Sequence, residues 1–193
     1  MSGFDTETVG SSLIVRFDRP EIRNPLSIHV LAALNDLLSD LPRVDRLIFT
    51  GTNNVFASGA DLREISGVSA GDAGEFALRG QRLMTAIATL PIRTVAAING
   101  FCFGGALDLA LACGSRIACS NAQFAHPGAG LGIITGWGGT QRLPRLVGTA
   151  NALEMFFTAA PIAADRALAI GLIDQIVDEP VRAALESPGV KTL

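Results

Sequence analysis

The sequence contains no tyrosine, two histidines, one tryptophan and three cysteines among its 193 residues. Without tyrosine, no mechanism with a tyrosyl acid is available. His29 and His126, the only histidines, leave few ways to build a His-dependent triad or a histidine-rich metal site. Cys102, Cys113 and Cys119 are odd in number, stand among apolar residues and include no C-x-x-C pair. They read as buried thiols of a cytoplasmic protein, not as a disulfide frame, a zinc ribbon or a redox motif. Excess charge is also missing: 15 basic and 18 acidic residues, in no long runs, give a formal net charge of −3. No nucleic-acid surface is expected, although a small basic patch could still hold a phosphate. No apolar run approaches the ~20 residues of a bilayer-spanning helix. The opening MSGFDTETVG lacks the basic-then-apolar pattern of a signal peptide, so no membrane partner is expected.

What the sequence does have is core material, at 49% hydrophobic residues. Its length suits one domain over 1–193, with a core over about 12–177 and a short tail over 178–193. Continuous apolar runs at Ser12–Phe17, Arg46–Gly51, Arg93–Gly100 and Ser115–Ser120 predict strands buried on both faces. Apolar spacing predicts helices over Ser27–Leu41, Asp72–Leu90 and Gly105–Cys113, the last apolar almost all round. From Thr140 the pattern is helical, except for Leu172–Val177. Strand–helix alternation predicts an α/β fold. The G-x-G-x-x-G of a doubly wound nucleotide-binding sheet is missing, as are the Walker pattern and G-x-S-x-G.

Three glycine-rich junctions stand out, either as places for chemistry or as ordinary strand–helix turns with close helix packing: FASGADLREI (Phe56–Ile65), NGFCFGGALDLA (Asn99–Ala110) and His126–Gly148. Glycine lets backbone approach a ligand closely. A helix start offers free N–H groups and a dipole that favours negative charge. Two such N–H groups aimed at one point would form an oxyanion hole.

Together with RPEIRNPLS (Arg19–Ser27), AQFAHPGAGLGI, GWGGTQRLPRLVG and the stretch Ala152–Val177, these junctions closely resemble the crotonase (enoyl-CoA hydratase/isomerase) superfamily over about Ile14–Val177. The resemblance implies a spiral of repeated strand–helix (ββα) units, here with a shortened C-terminal helical region, assembled as a homo-trimer or hexamer. It implies an acyl-coenzyme A thioester as ligand, with coenzyme A as substrate carrier; no cluster of residues suggests a prosthetic group or a metal. Its oxyanion-hole N–H groups fall on Ala60 and Gly105. Its coenzyme A channel falls on Arg23, Pro25, Ser58, Ala60, Asp61 and Leu62, with Arg23 or Arg63 as a possible phosphate partner.

The sequence departs from that pattern at both acidic positions. Asp108 stands where the family's first catalytic glutamate falls, and Gly128 where the second falls. A two-acid hydration is therefore in doubt. Asp108 is either the single acid/base, its pKa raised by burial, or a structural carboxylate bonded near its helix start. His126 either reaches the pocket or is a satisfied core histidine. Glu64 either approaches the acyl group or lies on the first turn of an exposed helix. Trp137 is either pocket wall or core, Phe101–Phe103, Phe124 and Leu131 are candidate pocket walls, and His29 is expected on the surface. The expected activity is that of the hydratase/isomerase type with proton transfer by one Asp. The alternatives are an acyl-coenzyme A decarboxylase or C–C lyase, a binding protein without catalysis, and an assembly subunit.

Overall fold

Each of the long apolar strands that ends near a glycine is followed by a second, shorter strand lying in another sheet. The computed structural model describes residues 2–187. The strands are β1 (Phe4–Val9), β2 (Ser12–Phe17), β3 (Arg46–Thr50), β4 (Val55–Ala57), β5 (Arg93–Ile98), β6 (Phe101–Phe103), β7 (Ser115–Ala118), β8 (Gln123–Ala125), β9 (Ile162–Ala163) and β10 (Gln175–Ile176). The helices are α1 (Ile28–Ser39), α2 (Leu62–Ser66), α3 (Ala73–Thr89), α4 (Gly105–Ala112), α5 (Gly139–Val147), α6 (Thr149–Thr158), α7 (Ala164–Ala169) and α8 (Pro180–Glu186).

The large sheet runs β1-β2-β3-β5-β7-β10 and the small one β4-β6-β8-β9. Pairing is parallel except for the β1–β2 hairpin and the β8–β9 edge. The units β3-β4-α2-α3, β5-β6-α4 and β7-β8-α5 each give one strand to each sheet before turning into helix. This is the ββα spiral. The crossings between sheets are tight. A Cβ on Gly100 would stand 1.7 Å from the Asn54 carbonyl oxygen, so the chain needs glycine there. Asn99 ties two crossings together, accepting from Gly51 N–H at 2.9 Å and donating to the Asn53 carbonyl at 2.8 Å.

The large sheet is covered on both faces, which is why its strands read as continuous apolar runs. Leu47, Phe49, Ala96 and Ile98 point into the main core, and Ile48, Val95, Ala97 and Ile117 point to the opposite face. That second face is covered by α8 through Val181, Ala184 and Leu185. The Arg46 guanidinium donates to the carbonyls of Leu185 and Ser187 at the end of α8. Residues 180–186, read from sequence as part of the tail, are thus a helix packed on the sheet, and 188–193 lie outside the described residues.

The four expected strands all lie in the large sheet, and the three expected helices begin and end within two residues of the observed ones. The small sheet, with strands of two or three residues, was not expected. Its partner for function is α4, which is buried along seven of its eight residues, Asp108 among them.

Candidate active site

The site begins where β4 ends and the chain turns through Ser58, Gly59 and Ala60 towards α2. The segment 23–27 runs beside this turn. Ser58 N–H donates to the Arg23 carbonyl at 2.9 Å, and Leu26 N–H donates to the Gly59 carbonyl at 2.7 Å. Buried Asn24 anchors the pair, donating from Nδ2 to the carbonyls of Val55 and Phe56 at 3.0 and 3.1 Å.

Gly59 presses against the start of α4: a Cβ there would stand 2.5 Å from the Gly105 nitrogen. Gly104 precedes that helix at φ 56° and ψ −126°, a conformation essentially restricted to glycine. The turn and the helix start thereby share one wall. Ala60 and Gly105 both line a cavity of about 390 Å³. Neither of their backbone N–H groups meets a protein acceptor among the described residues.

Asp108 lies one turn into α4 and lines the same cavity, with 0% of its surface exposed. Burial raises its pKa from 3.8 to about 7, against smaller opposing effects of the Thr135 hydroxyl, Arg142 and the N–H groups of Trp137 and Gly139. The Thr135 hydroxyl donates to Oδ2. Oδ1 has no partner among the described residues. The carboxyl faces the start of α5 so closely that a Cβ on Gly139 would stand 2.2 Å from Oδ1. His126 closes this side of the cavity, its Nε2 3.7 Å from Asp108 Oδ1. Burial lowers its pKa from 6.5 to about 4, so the ring is neutral near pH 7.

Apart from Ser58 and Thr135, the side chains of the rest of the wall are apolar. Leu62, Ile65, Phe76, Leu131, Ile134, Trp137 and Phe156 contribute to it, and among the described residues its only ionisable side chains are Asp108 and His126. Trp137 packs over glycine: Cβ atoms on Gly80 and Gly105 would fall 2.2 and 2.3 Å from its ring. Gly128 lies in a 3₁₀ turn (Pro127–Leu131) that is closed by Ile133 N–H donating to the Gly128 carbonyl at 2.9 Å. A Cβ at 128 would stand 2.5 Å from the Ile133 carbonyl oxygen, so the backbone itself leaves no room for a longer side chain.

Of the sequence candidates, Ser58, Ala60, Leu62, Gly105, Asp108, His126, Leu131 and Trp137 line the cavity, whereas Arg23, Pro25 and Asp61 lie outside its lining. Asp61 caps α2, accepting from Arg63 N–H, and pairs with the Arg63 guanidinium at 2.7 Å. Phe124 is fully buried in the core, and Phe101 and Phe103 stack edge to face on β6 at 5.6 Å, so none of the three is pocket wall. His29 is exposed. Thr135 and Phe156 were missed, because a lone hydroxyl between glycines and an aromatic on an amphipathic helix carry no motif.

Glu64 has a structural role: its Oε2 accepts from Ile28 N–H at 2.8 Å, at the start of α1. A carboxylate there satisfies an orphan donor and meets the positive end of the helix dipole. Glu64→Ala is expected to lower stability by about 1 kcal/mol, read as a urea midpoint, and to leave turnover unchanged. A loss of turnover in a folded variant would put Glu64 in the chemistry.

A family model described as enoyl-CoA hydratase/isomerase matches residues 7–188. A crotonyl-CoA hydratase of Syntrophomonas wolfei is 42% identical over 168 residues, covering 85% of this chain and 65% of that protein. The chain thus spans about two thirds of the length of that relative. The structure of Pseudomonas aeruginosa DspI superposes with a TM-score of 0.90 at 34% identity, covering 95% of this chain and 77% of the other. A Thermobifida fusca protein solved in complex with CoA gives a TM-score of 0.87 at 26% identity, covering 96% of this chain and 76% of the other. With matching architecture and a family match over nearly its whole length, this chain belongs to the enoyl-CoA hydratase/isomerase family.

Proposed function

We propose that the chain binds an acyl-CoA thioester and catalyses proton transfer of the enoyl-CoA hydratase/isomerase type. In this reading the N–H groups of Ala60 and Gly105 hold the thioester oxygen, and Asp108 is the acid/base. The observation that carries it is the meeting of two acceptor-less N–H groups and one buried carboxylate on a single apolar cavity. Removing a proton beside the thioester places negative charge on its oxygen as an enolate. Paired donors in a dry site stabilise that charge, each by about 3 kcal/mol. A carboxyl group with a pKa near 7 can both take and return the proton near neutral pH.

With Gly128 in the second acidic position, a standard two-carboxylate addition of water lacks one partner, so double-bond isomerisation is the favoured chemistry. The apolar wall fits an unsubstituted aliphatic acyl group. Among the described residues no Lys or Arg lines the cavity to hold a second carboxylate, which weighs against a decarboxylase. The coenzyme A carrier would run along the turn at Ser58, Asp61 and Leu62 beside Arg23 and Pro25. Arg23 is then the better phosphate partner, since Arg63 is already paired with Asp61. An oligomer would use the apolar side chains α6 leaves exposed, Leu153 at 44% and Phe157 at 77%.

The pH profile tests the role of Asp108. The ionised form is the base, so kcat/KM for removal of the α-proton should rise about tenfold per pH unit up to a plateau above about 7. His126, with its pKa near 4, adds no second limb over this range. Exchange of the α-protons of butyryl-CoA in heavy water, read by mass spectrometry, measures it. A rate independent of pH between about 5.5 and 8 would remove Asp108 from the role.

A further inference from the structure

Two side chains in the cavity wall face each other through polar atoms that have no hydrogen-bond partner. Asp108 Oδ1 and both ring nitrogens of His126 have no hydrogen-bond partner among the described residues. The ring is 3% exposed, lines the cavity and rests against Phe156, with ring centroids 5.2 Å apart. Buried polar atoms are nearly always satisfied, and a histidine kept for packing alone would normally bond through at least one nitrogen. The carboxyl of Asp108 is also asymmetric. Oδ2 is engaged by the Thr135 hydroxyl, and the open oxygen is the one 3.7 Å from His126 Nε2.

We propose that His126 is a second catalytic residue, which relays the proton that Asp108 takes from the acyl chain. The inference rests on Asp108 acting as the base. Asp108 Oδ1 removes a proton from the α-carbon: the C–H bond breaks, an O–H bond forms, and the electron pair moves onto the thioester oxygen. His126 Nε2 then takes that proton, leaving an imidazolium beside a carboxylate. As the enolate collapses, the imidazolium protonates the γ-carbon and returns to neutral imidazole. The double bond has moved, no proton is gained or lost overall, and both side chains end as they began. The separation of 3.7 Å is too long for a hydrogen bond and short enough to close by a small rotation of either side chain. The imidazolium is disfavoured by burial alone, but it forms only when the adjacent carboxyl has become anionic, so the pair holds one proton between them. The imidazole thereby fills the role left vacant at Gly128.

Two experiments test this. The chain has only two histidines, and His29 is exposed, so ¹⁵N-histidine labelling gives two distinguishable ring signals. Adding butyryl-CoA should shift the His126 signal and leave that of His29 in place; an unmoved His126 signal overturns the proposal. This arm uses the unaltered protein, so it stands even where a substitution prevents folding. The second arm follows 3-butenoyl-CoA in heavy water with His126→Leu and His126→Gln, each checked for folding by thermal melting. Conversion to crotonyl-CoA should fall by about 10²-fold, with α-exchange falling far less. Unchanged conversion makes His126 a wall residue, and an equal fall in both steps makes it a support for Asp108; either overturns the relay. Wild-type protein that shows no α-exchange at all defeats the Asp108 reading, and the relay with it.

Discussion

Asp108→Asn is expected to slow proton exchange on a bound thioester by about 10²- to 10⁴-fold while leaving thioester affinity within a few fold. The substitution keeps the shape of the side chain and an oxygen able to accept from the Thr135 hydroxyl, so the cavity wall stays in place. It removes the group that takes the proton. The same variant carries a second, opposite signature in stability. The folded-state pKa of Asp108 is raised, so the stability it contributes is present below the ordinary carboxyl value of 3.8 and is lost as pH rises towards about 7. The folded-state pKa of His126 is lowered, so its contribution is lost as pH falls from 6.5 towards about 4. Between these limits the two slopes oppose each other and the wild-type protein should show little net dependence from this pair. Asp108→Asn removes the falling slope and leaves the rising one. Its stability relative to wild type should then increase by about 3 kcal/mol between pH about 4.5 and about 6.5, read from urea unfolding. A constant difference across that range would mean that Asp108 is not buried as a neutral acid.

Gly105→Ala is the second large effect. A Cβ at this position would stand 2.3 and 2.4 Å from Trp137 Cζ3 and Cε3. Trp137 is 3% exposed and a Cβ on Gly80 would crowd it too, so the ring can yield only towards the cavity it lines. Either the indole or the start of α4 must shift. Overpacking of this kind costs about 1–3 kcal/mol of stability. Displacing the Gly105 N–H from the thioester oxygen should cost about 10²- to 10³-fold in kcat. Gly104→Ala provides a comparison: the nearest atom to its added Cβ is the Ser58 carbonyl oxygen at 3.6 Å, so the penalty there comes from the positive φ and not from collision. If Gly105→Ala is folded and turns over at the wild-type rate, the N–H at 105 is not an oxyanion donor.

The large sheet was legible because its strands are covered on both faces, so each reads as an uninterrupted apolar run. The helix Ser27–Leu41 was legible for a different reason: Ser27 caps it, accepting from Val30 N–H at 3.3 Å. The small sheet was not legible. Three residues such as Val55–Ala57 or Gln123–Ala125 are too few to show a period, and they are strands only because the tight crossings at Gly51 and Gly100 lay them side by side. At the site, Asp108 stood out as a charge in an apolar helix, and Ala60 and Gly105 were singled out by the resemblance alone. The neighbourhood of Asp108 did not. Thr135 reaches it across 27 residues, and His126 across 18 positions, through a fold no local pattern encodes. Glu64 was ambiguous because the Ile28 N–H it satisfies lies 36 residues away in the sequence.

The most direct test of the central claim is incubation of the protein with crotonyl-CoA in heavy water, read by mass spectrometry, alongside a binding measurement on the same sample. A carboxylate that moves a proton beside an enolate held by the N–H groups of Ala60 and Gly105 should add deuterium to the acyl chain without adding water. Bound crotonyl-CoA of unchanged mass would contradict that account, and a gain of one water would contradict its single-carboxylate chemistry.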